Sequence, residues 1–167
     1  GTFGGYQYST AFLDKAEQSI SDALKESEVI SFSQHFPRAA TIRKHGGKLY
    51  HYIDATLYDL FRSEAYGYKL PEKVKQKAME LERDNYRQSE AVVTMASWAR
   101  ESVLDIYGIE ENKVHTILPG ANIELPESFE YYEDERLPGK ERNFVLGFVG
   151  KDWARKGLPL LNEVKNI

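Results

Sequence analysis

The chain of 167 residues contains no cysteine, which excludes disulfide bonds and thiolate metal sites. No apolar run approaches the length that spans a membrane, and the N-terminus lacks the basic and apolar regions of a signal peptide. No basic stripe is present and the formal net charge is -4, which argues against nucleic acid as the main partner. These absences favour a cytoplasmic protein without a transmembrane segment.

Two common phosphate-binding motifs are missing as well. A P-loop at Gly150 and Lys151 would need an earlier glycine and a following Ser or Thr, but Val145 and Asp152 occupy those positions. The G-x-G-x-x-G fingerprint of dinucleotide-binding proteins is also absent. The four histidines show no metal-ligand spacing, so we expect neither a metal nor a cofactor.

The sequence does contain an alternation of apolar strand patterns and amphipathic helix patterns. Hydrophobic residues make up 41% of the chain and charged residues 29%, as in soluble globular proteins. Strands are predicted at residues 29–32, 49–53, 91–95 and 114–118, and helices at 9–27, 71–88 and 97–107. The alternation predicts an α/β fold with a Rossmann-like parallel sheet, flanked by helices on both faces.

The composition changes after residue 118. Residues 119–143 are rich in glutamate and contain Pro126, Pro138 and Gly139, which predicts a hinge or linker. An apolar run at 144–149 then predicts a buried strand, and residues 159–167 predict a helix. We therefore expect a partial Rossmann-like domain at 1–118, a hinge at 119–143, and the start of a truncated second domain at 144–167.

A group of cations follows the predicted strand at 144–149. The strand ends at Gly150, and Lys151, Arg155 and Lys156 lie within the next six residues. A strand that delivers a glycine and cations to its carboxyl end can present positive charge to a phosphate. A solvated turn with ordinary lysines explains the pattern equally well, so both interpretations stay open on the residues alone.

Polar residues also follow two strands of the first domain. Asp54 and Thr56 come after the strand at 49–53, and His35 comes after the strand at 29–32. The carboxyl ends of parallel strands are common ligand positions, so these residues are candidates for contact with a ligand. The alternatives are that Asp54 or Thr56 caps a short helix, and that His35 is a packing or capping residue.

Two further features favour structural roles. Ser97 is predicted to cap the helix at 97–107, and no nucleophile elbow surrounds it. Trp98 is predicted to be a core residue rather than a platform for a sugar. The basic residues of the helix at 71–88 are interleaved with acids, which favours a solvated face over a membrane-facing one.

Three segments in order, residues 81–100, 107–122 and 148–157, carry a family resemblance. The chain resembles the retaining GT-B glycosyltransferases of the large group-one family (family four), from about residue 28 to its end. The resemblance implies two Rossmann-like domains that face a cleft. The first would hold a carbohydrate or lipid-linked acceptor, and the second would bind a nucleotide sugar. It also implies hexosyl transfer with retention of configuration and without a metal, and a lipid-linked acceptor would add peripheral membrane contact.

The resemblance also assigns roles to individual residues. Lys151 and Lys156 match the family's cations on the donor diphosphate, with Gly150 and Arg155 beside them. Other matches lie in the first domain and the hinge: Gly120 and Asn122 at the crossing between domains, and Asp54 near the place where many members carry a catalytic histidine.

Two family features are not found in this sequence. The resemblance places the acidic E-x-x-x-x-x-x-x-E motif that contacts the donor downstream of Ile167, and the opening strand with its glycine-rich loop before this chain. We therefore expect an excised piece of such an enzyme, inactive alone. The alternative is a non-catalytic flavodoxin-like binding or interaction domain, in which Lys151 and Lys156 are ordinary surface residues.

Overall fold

A computed structural model describes residues 5–25, 27–63, 69–120, 124, 147–154 and 156–164. The chain divides into two compact units, Gly1–Gly120 and Ala121–Ile167. The first unit holds a sheet and most of the described helices, whereas the second holds one described helix. No helix in the described part of the chain is both long and apolar enough to cross a bilayer.

Four strands form one parallel sheet in the order β1-β2-β3-β4. The strands are β1 (Glu28–Ser31), β2 (Lys48–Ile53), β3 (Ala91–Thr94) and β4 (Val114–Thr116). In the register of the sheet, Tyr52 lies beside Val93, which in turn lies beside His115. A parallel sheet with flanking helices is consistent with a Rossmann-like fold and confirms the predicted fold class.

Six helices are described, and they largely follow the sequence pattern. They are α1 (Thr10–Ser19), α2 (Ala39–Lys44), α3 (Leu57–Arg62), α4 (Glu72–Gln88), α5 (Ser97–Asp105) and α6 (Leu158–Val164). The Ser9 hydroxyl accepts a hydrogen bond from the Phe12 amide at 3.3 Å, so Ser9 caps α1 as predicted.

Two predicted details are wrong, and one helix was not predicted. The helix predicted at 9–27 ends at Ser19, and a 3₁₀ turn follows at Ser21–Leu24. Ser97 is the first residue of α5 rather than its cap, since Ala96 holds the cap position without a side-chain bond. Helix α2 has only six residues, too few for a helical period to be visible in the sequence.

The helices of the first unit pack against one face of the sheet. Strand order follows chain order, and right-handed crossovers between successive neighbours place their connecting helices on the same side. Burial alternates accordingly: Leu49, His51 and Ile53 of β2 are buried, whereas Tyr50 and Tyr52 between them are partly exposed. The prediction that helices cover both faces is therefore wrong for the described part of the chain.

The uncovered face is largely apolar. Ile30 and Phe32 are 64% and 68% exposed there, although parallel sheets are normally buried on both sides. Together with Ile117, Leu118 and Gly120 they border an open cavity of about 810 Å³. On the helix-covered face, the largest hydrophobic cluster is formed by Ile53, Tyr86, Val92, Val103, Tyr107, Ile109 and Val114.

In the second unit, the predicted buried strand at 144–149 is wrong for its described end. Residues 147–149 have no strand assignment, and Val149 is 100% exposed. Residues 144–146 lie outside the described residues. Helix α6 agrees with the helix predicted at 159–167 over its described length.

Candidate functional site

The loops that follow the first three strands meet at the carboxyl edge of the sheet. After β1, the Gln34 side-chain amide donates to the Ala55 carbonyl at 2.8 Å. After β3, the Met95 amide donates to the Ile53 carbonyl, also at 2.8 Å. These two bonds fix the loop after β2 between its neighbours, at the edge where open α/β sheets bind their ligands.

Thr56 has a structural role at this edge. It is fully buried and caps α3, with its hydroxyl 2.6 Å from the Asp59 carboxylate, to which it donates. The Asp59 side chain in turn accepts from the Thr56 amide, which completes a capping box. Because these bonds occupy the hydroxyl, the capping alternative describes Thr56 better than a role in ligand binding.

Asp54 differs from Thr56 because its carboxylate is exposed and has no hydrogen-bond or ion-pair partner among the described residues. It lines a cavity of about 330 Å³ together with Trp98. Trp98 is 52% exposed, so the prediction of a core tryptophan is wrong. The reason is its place on α5, where Ala99 and Val103 form the buried stripe and Trp98 lies beside that stripe.

His35 is packed inside the loop after β1. Its ring lies 4.8 Å from the Tyr8 ring, centroid to centroid, and burial lowers its pKa. The neighbouring His51 is fully buried, and its Nδ1 lies 3.0 Å from the Ser33 carbonyl oxygen, to which it donates. Burial lowers the pKa of His51 to about 4, so both rings are neutral near pH 7. This geometry favours the packing interpretation of His35.

Glu82 of α4 contacts the start of α3 at the same edge of the sheet. The sequence pattern placed Glu82 on a solvated face, so its burial was not predicted. It is fully buried on α4, and its carboxylate accepts from the Leu57 amide at 3.0 Å and from the Tyr86 hydroxyl at 2.6 Å. The Tyr107 hydroxyl also donates to it. Burial raises the pKa of Glu82 to about 8. The spacing of Ala78, Glu82 and Tyr86 at i, i+4 and i+8 was the available signal.

The cation loop lies in the second unit. The Lys156 amide donates to the Asp152 carbonyl at 2.9 Å, which turns the loop back on itself. A Cβ placed on Gly150 would lie 3.3 Å from Cζ of Phe148 and 3.4 Å from Cγ of Lys156, so both side chains pack over the glycine. Lys151 and Lys156 are both exposed. The loop therefore brings the stem of Lys156 against Gly150, which Lys151 follows directly in the chain.

The other proposed site residues are distributed as follows. Gly120 lies at the end of the first unit and borders the cavity on the uncovered sheet face. Asn122 and Arg155 lie outside the described residues. Within the described ranges, no cluster of three or more metal-binding side chains is present.

Comparison of the chain with protein-family models, with curated proteins and with solved structures finds no match.

Proposed function

We propose that this chain belongs to a retaining GT-B glycosyltransferase that uses a nucleotide sugar. The observation that carries the proposal is the loop of the second unit, where Lys156 packs over Gly150 next to Lys151. A separate unit with a parallel sheet and polar residues at its carboxyl edge supports the same assignment. The first unit would hold the acceptor and the second the donor diphosphate, in the cytoplasm.

The chemistry explains why two cations suit this loop. During transfer, the bond between the anomeric carbon and the phosphate oxygen breaks, and its electron pair stays on the departing nucleoside diphosphate. Fixed cations stabilise that growing charge more strongly in the transition state than in the ground state. Because Gly150 carries no side chain, the side chains of Phe148 and Lys156 pack closely against the backbone of the loop. Lys151 and Lys156 would bind the two phosphates, while the acceptor hydroxyl attacks the anomeric carbon and gives its proton to the departing phosphate oxygen.

Trp153 provides a direct test, because it lies between the two lysines in the loop and is 57% exposed. A Trp98→Phe variant leaves Trp153 as the sole tryptophan. We expect its fluorescence to change saturably on titration with UDP, GDP or ADP. Lys156→Ala should weaken that binding about ten- to a hundredfold, as loss of a charged hydrogen bond does. Lys77→Ala, an exposed lysine on α4, is the matched control.

The non-catalytic flavodoxin-like binding or interaction domain is the second candidate, since a parallel α/β sheet is common to both. It predicts that Lys151 and Lys156 are surface residues without a ligand. A Trp153 signal that none of the three diphosphates changes would therefore contradict the transferase proposal. The same proposal predicts that Lys156→Ala slows sugar transfer by about a hundred- to a thousandfold in the enzyme.

A further inference from the structure

A second cavity, distinct from the cation loop, lies at the carboxyl edge of the first unit between the starts of α3 and α5. Its volume is about 330 Å³, at the lower end of the range for small-molecule sites. The residues that line it are Asp54, Ala55, Asp59, Leu60, Ser63 and Trp98.

The walls of this cavity are held in place by hydrogen bonds. The Ser102 hydroxyl of α5 donates to the Asp59 carboxylate of α3 at 2.8 Å, which ties the two helices that form the cavity. The Met95 amide ties the residues before α5 to the end of β2 at Ile53. A ligand would therefore meet Trp98 and Asp54 in a preformed arrangement and would lose little free energy in ordering them.

The groups that remain available in the cavity are of two kinds. The half-exposed Trp98 indole offers a flat apolar surface. The Asp54 carboxylate and the Ser63 hydroxyl have no partners among the described residues, so they are open to hydrogen bonds. The Asp59 carboxylate differs, because Thr56 and Ser102 already occupy it. The cavity thus combines an aromatic face, one strong acceptor and one hydroxyl.

We propose that this cavity binds one sugar ring of the acceptor. A pyranose ring has an apolar C–H face that fits against the indole of Trp98, and a rim of hydroxyl groups. Adjacent hydroxyls would donate to the Asp54 carboxylate, and a further one would pair with Ser63. The assignment to the acceptor rests on the proposed transferase function, whereas the binding of a sugar ring does not.

An organic cation is the competing ligand, because aromatic and acidic groups also attract ammonium groups. Among the described residues, Trp98 is the one aromatic ring that lines this cavity, whereas recognition of quaternary ammonium uses cages of several rings. The Asp59 carboxylate also already accepts hydrogen bonds from Thr56 and Ser102. These features favour a neutral ligand rich in hydroxyl groups.

A Trp153→Phe variant of the full chain leaves Trp98 as the sole tryptophan and reports on this cavity. The probes are the methyl α-glycosides of glucose, galactose, mannose and N-acetylglucosamine, with choline chloride as the cationic comparison. We expect a saturable fluorescence change with at least one glycoside and none with choline. Asp54→Asn should weaken the glycoside binding about ten- to a hundredfold, and Asp84→Asn on the exposed side of α4 should not.

Saturation-transfer NMR of the same glycosides gives a readout that does not require Trp98. Trp98→Ala should abolish the transfer, while Trp153→Ala, at an equally exposed tryptophan, should preserve it. If neither a glycoside nor a nucleotide sugar changes the Trp98 signal, or only choline does, the sugar-ring proposal is wrong. If a nucleotide sugar changes it and no glycoside does, the ring belongs to the donor and the acceptor assignment is wrong.

These outcomes are separable from those of the diphosphate titration, which reads Trp153 in the other unit. Glycoside binding at Trp98 without a diphosphate response at Trp153 would keep the sugar site and contradict the transferase. A diphosphate response without glycoside binding would support the transferase proposal and contradict the sugar site.

Discussion

Replacement of Glu82 by glutamine tests the buried network beneath the carboxyl edge. The side chain is fully buried, and three donors converge on it, from the Leu57 amide and the hydroxyls of Tyr86 and Tyr107. At neutral pH the carboxyl group is largely protonated, because burial raises its pKa to about 8. Glutamine keeps the shape of the neutral acid and changes the hydrogen-bonding pattern.

The expected loss of stability follows from the number of hydrogen-bond donors on each side chain. A neutral carboxyl has one O–H donor, whereas the glutamine amide has two N–H donors. The additional donor faces groups that already donate, so it stays buried without a partner. Such a group costs about 1–3 kcal/mol, and we expect Glu82→Gln to lower the free energy of unfolding by that amount. With an m-value of about 1.5 kcal/mol/M, the urea midpoint near pH 5 falls by about 0.7–2 M.

The pH dependence of the free energy of unfolding tests the protonation of Glu82 more directly than its value at one pH. The pKa of Glu82 is about 8 in the folded chain and 4.5 as its model value. Between these values the folded state holds a proton that the unfolded state releases, so stability falls as pH rises. The fall reaches at most about 1.4 kcal/mol per pH unit. The glutamine variant lacks this titration, so the advantage of wild type is largest near pH 5 and is lost or reversed towards pH 8, because the titration removes about 3–4 kcal/mol over this range.

The measurement is urea unfolding of both chains, followed by circular dichroism at several pH values from 5 to 8. Glu80→Gln, an exposed position on the same helix, is the control and should stay within about 0.5 kcal/mol of wild type. A difference between wild type and Glu82→Gln that stays constant across this pH range would refute the assigned protonation of Glu82.

Three further perturbations follow from the structure. Arg38→Met removes the bidentate partner of the buried Glu17 carboxylate, and we expect urea unfolding to show a loss of about 3–5 kcal/mol. Gly47→Ala would place a Cβ 2.6 Å from the Ser27 carbonyl oxygen, and thermal unfolding should show a loss well above that of an ordinary surface substitution. His51 is held neutral by burial with a pKa of about 4, so stability should fall as pH drops from 6.5 to 4, and a urea-unfolding series should show a shallower fall for His51→Gln.

The strands were predictable because their signal is local. The apolar run at 49–53 matches β2 within one residue, since burial on a sheet face repeats every second position. Thr56 as a helix cap was also among the predicted alternatives, because capping depends on residues three positions apart. These features depend on neighbours in sequence alone.

The environment of the site was less predictable because it depends on distant partners. Glu82 is buried by groups that belong to Leu57 and Tyr107, both 25 residues away in sequence. Trp98 is exposed because Ala99 and Val103 define which side of α5 meets the sheet. The helical spacing around Glu82 was a local signal, but the charge of Glu82 favoured exposure and the aromatic character of Trp98 favoured burial, so composition assigned the opposite burial to both residues.

The order of the strands has a consequence for how the first unit folds. Each strand pairs with the one that precedes it in the chain, so the sheet can grow at one edge while the polypeptide is being synthesised. No strand has to wait for a later segment to be inserted between existing neighbours. The longest closure joins β2 to β3, from Ile53 to Ala91, and it spans two helices. Because the entropic cost of closing a loop rises with its length, we expect this crossover to be the slowest step of assembly.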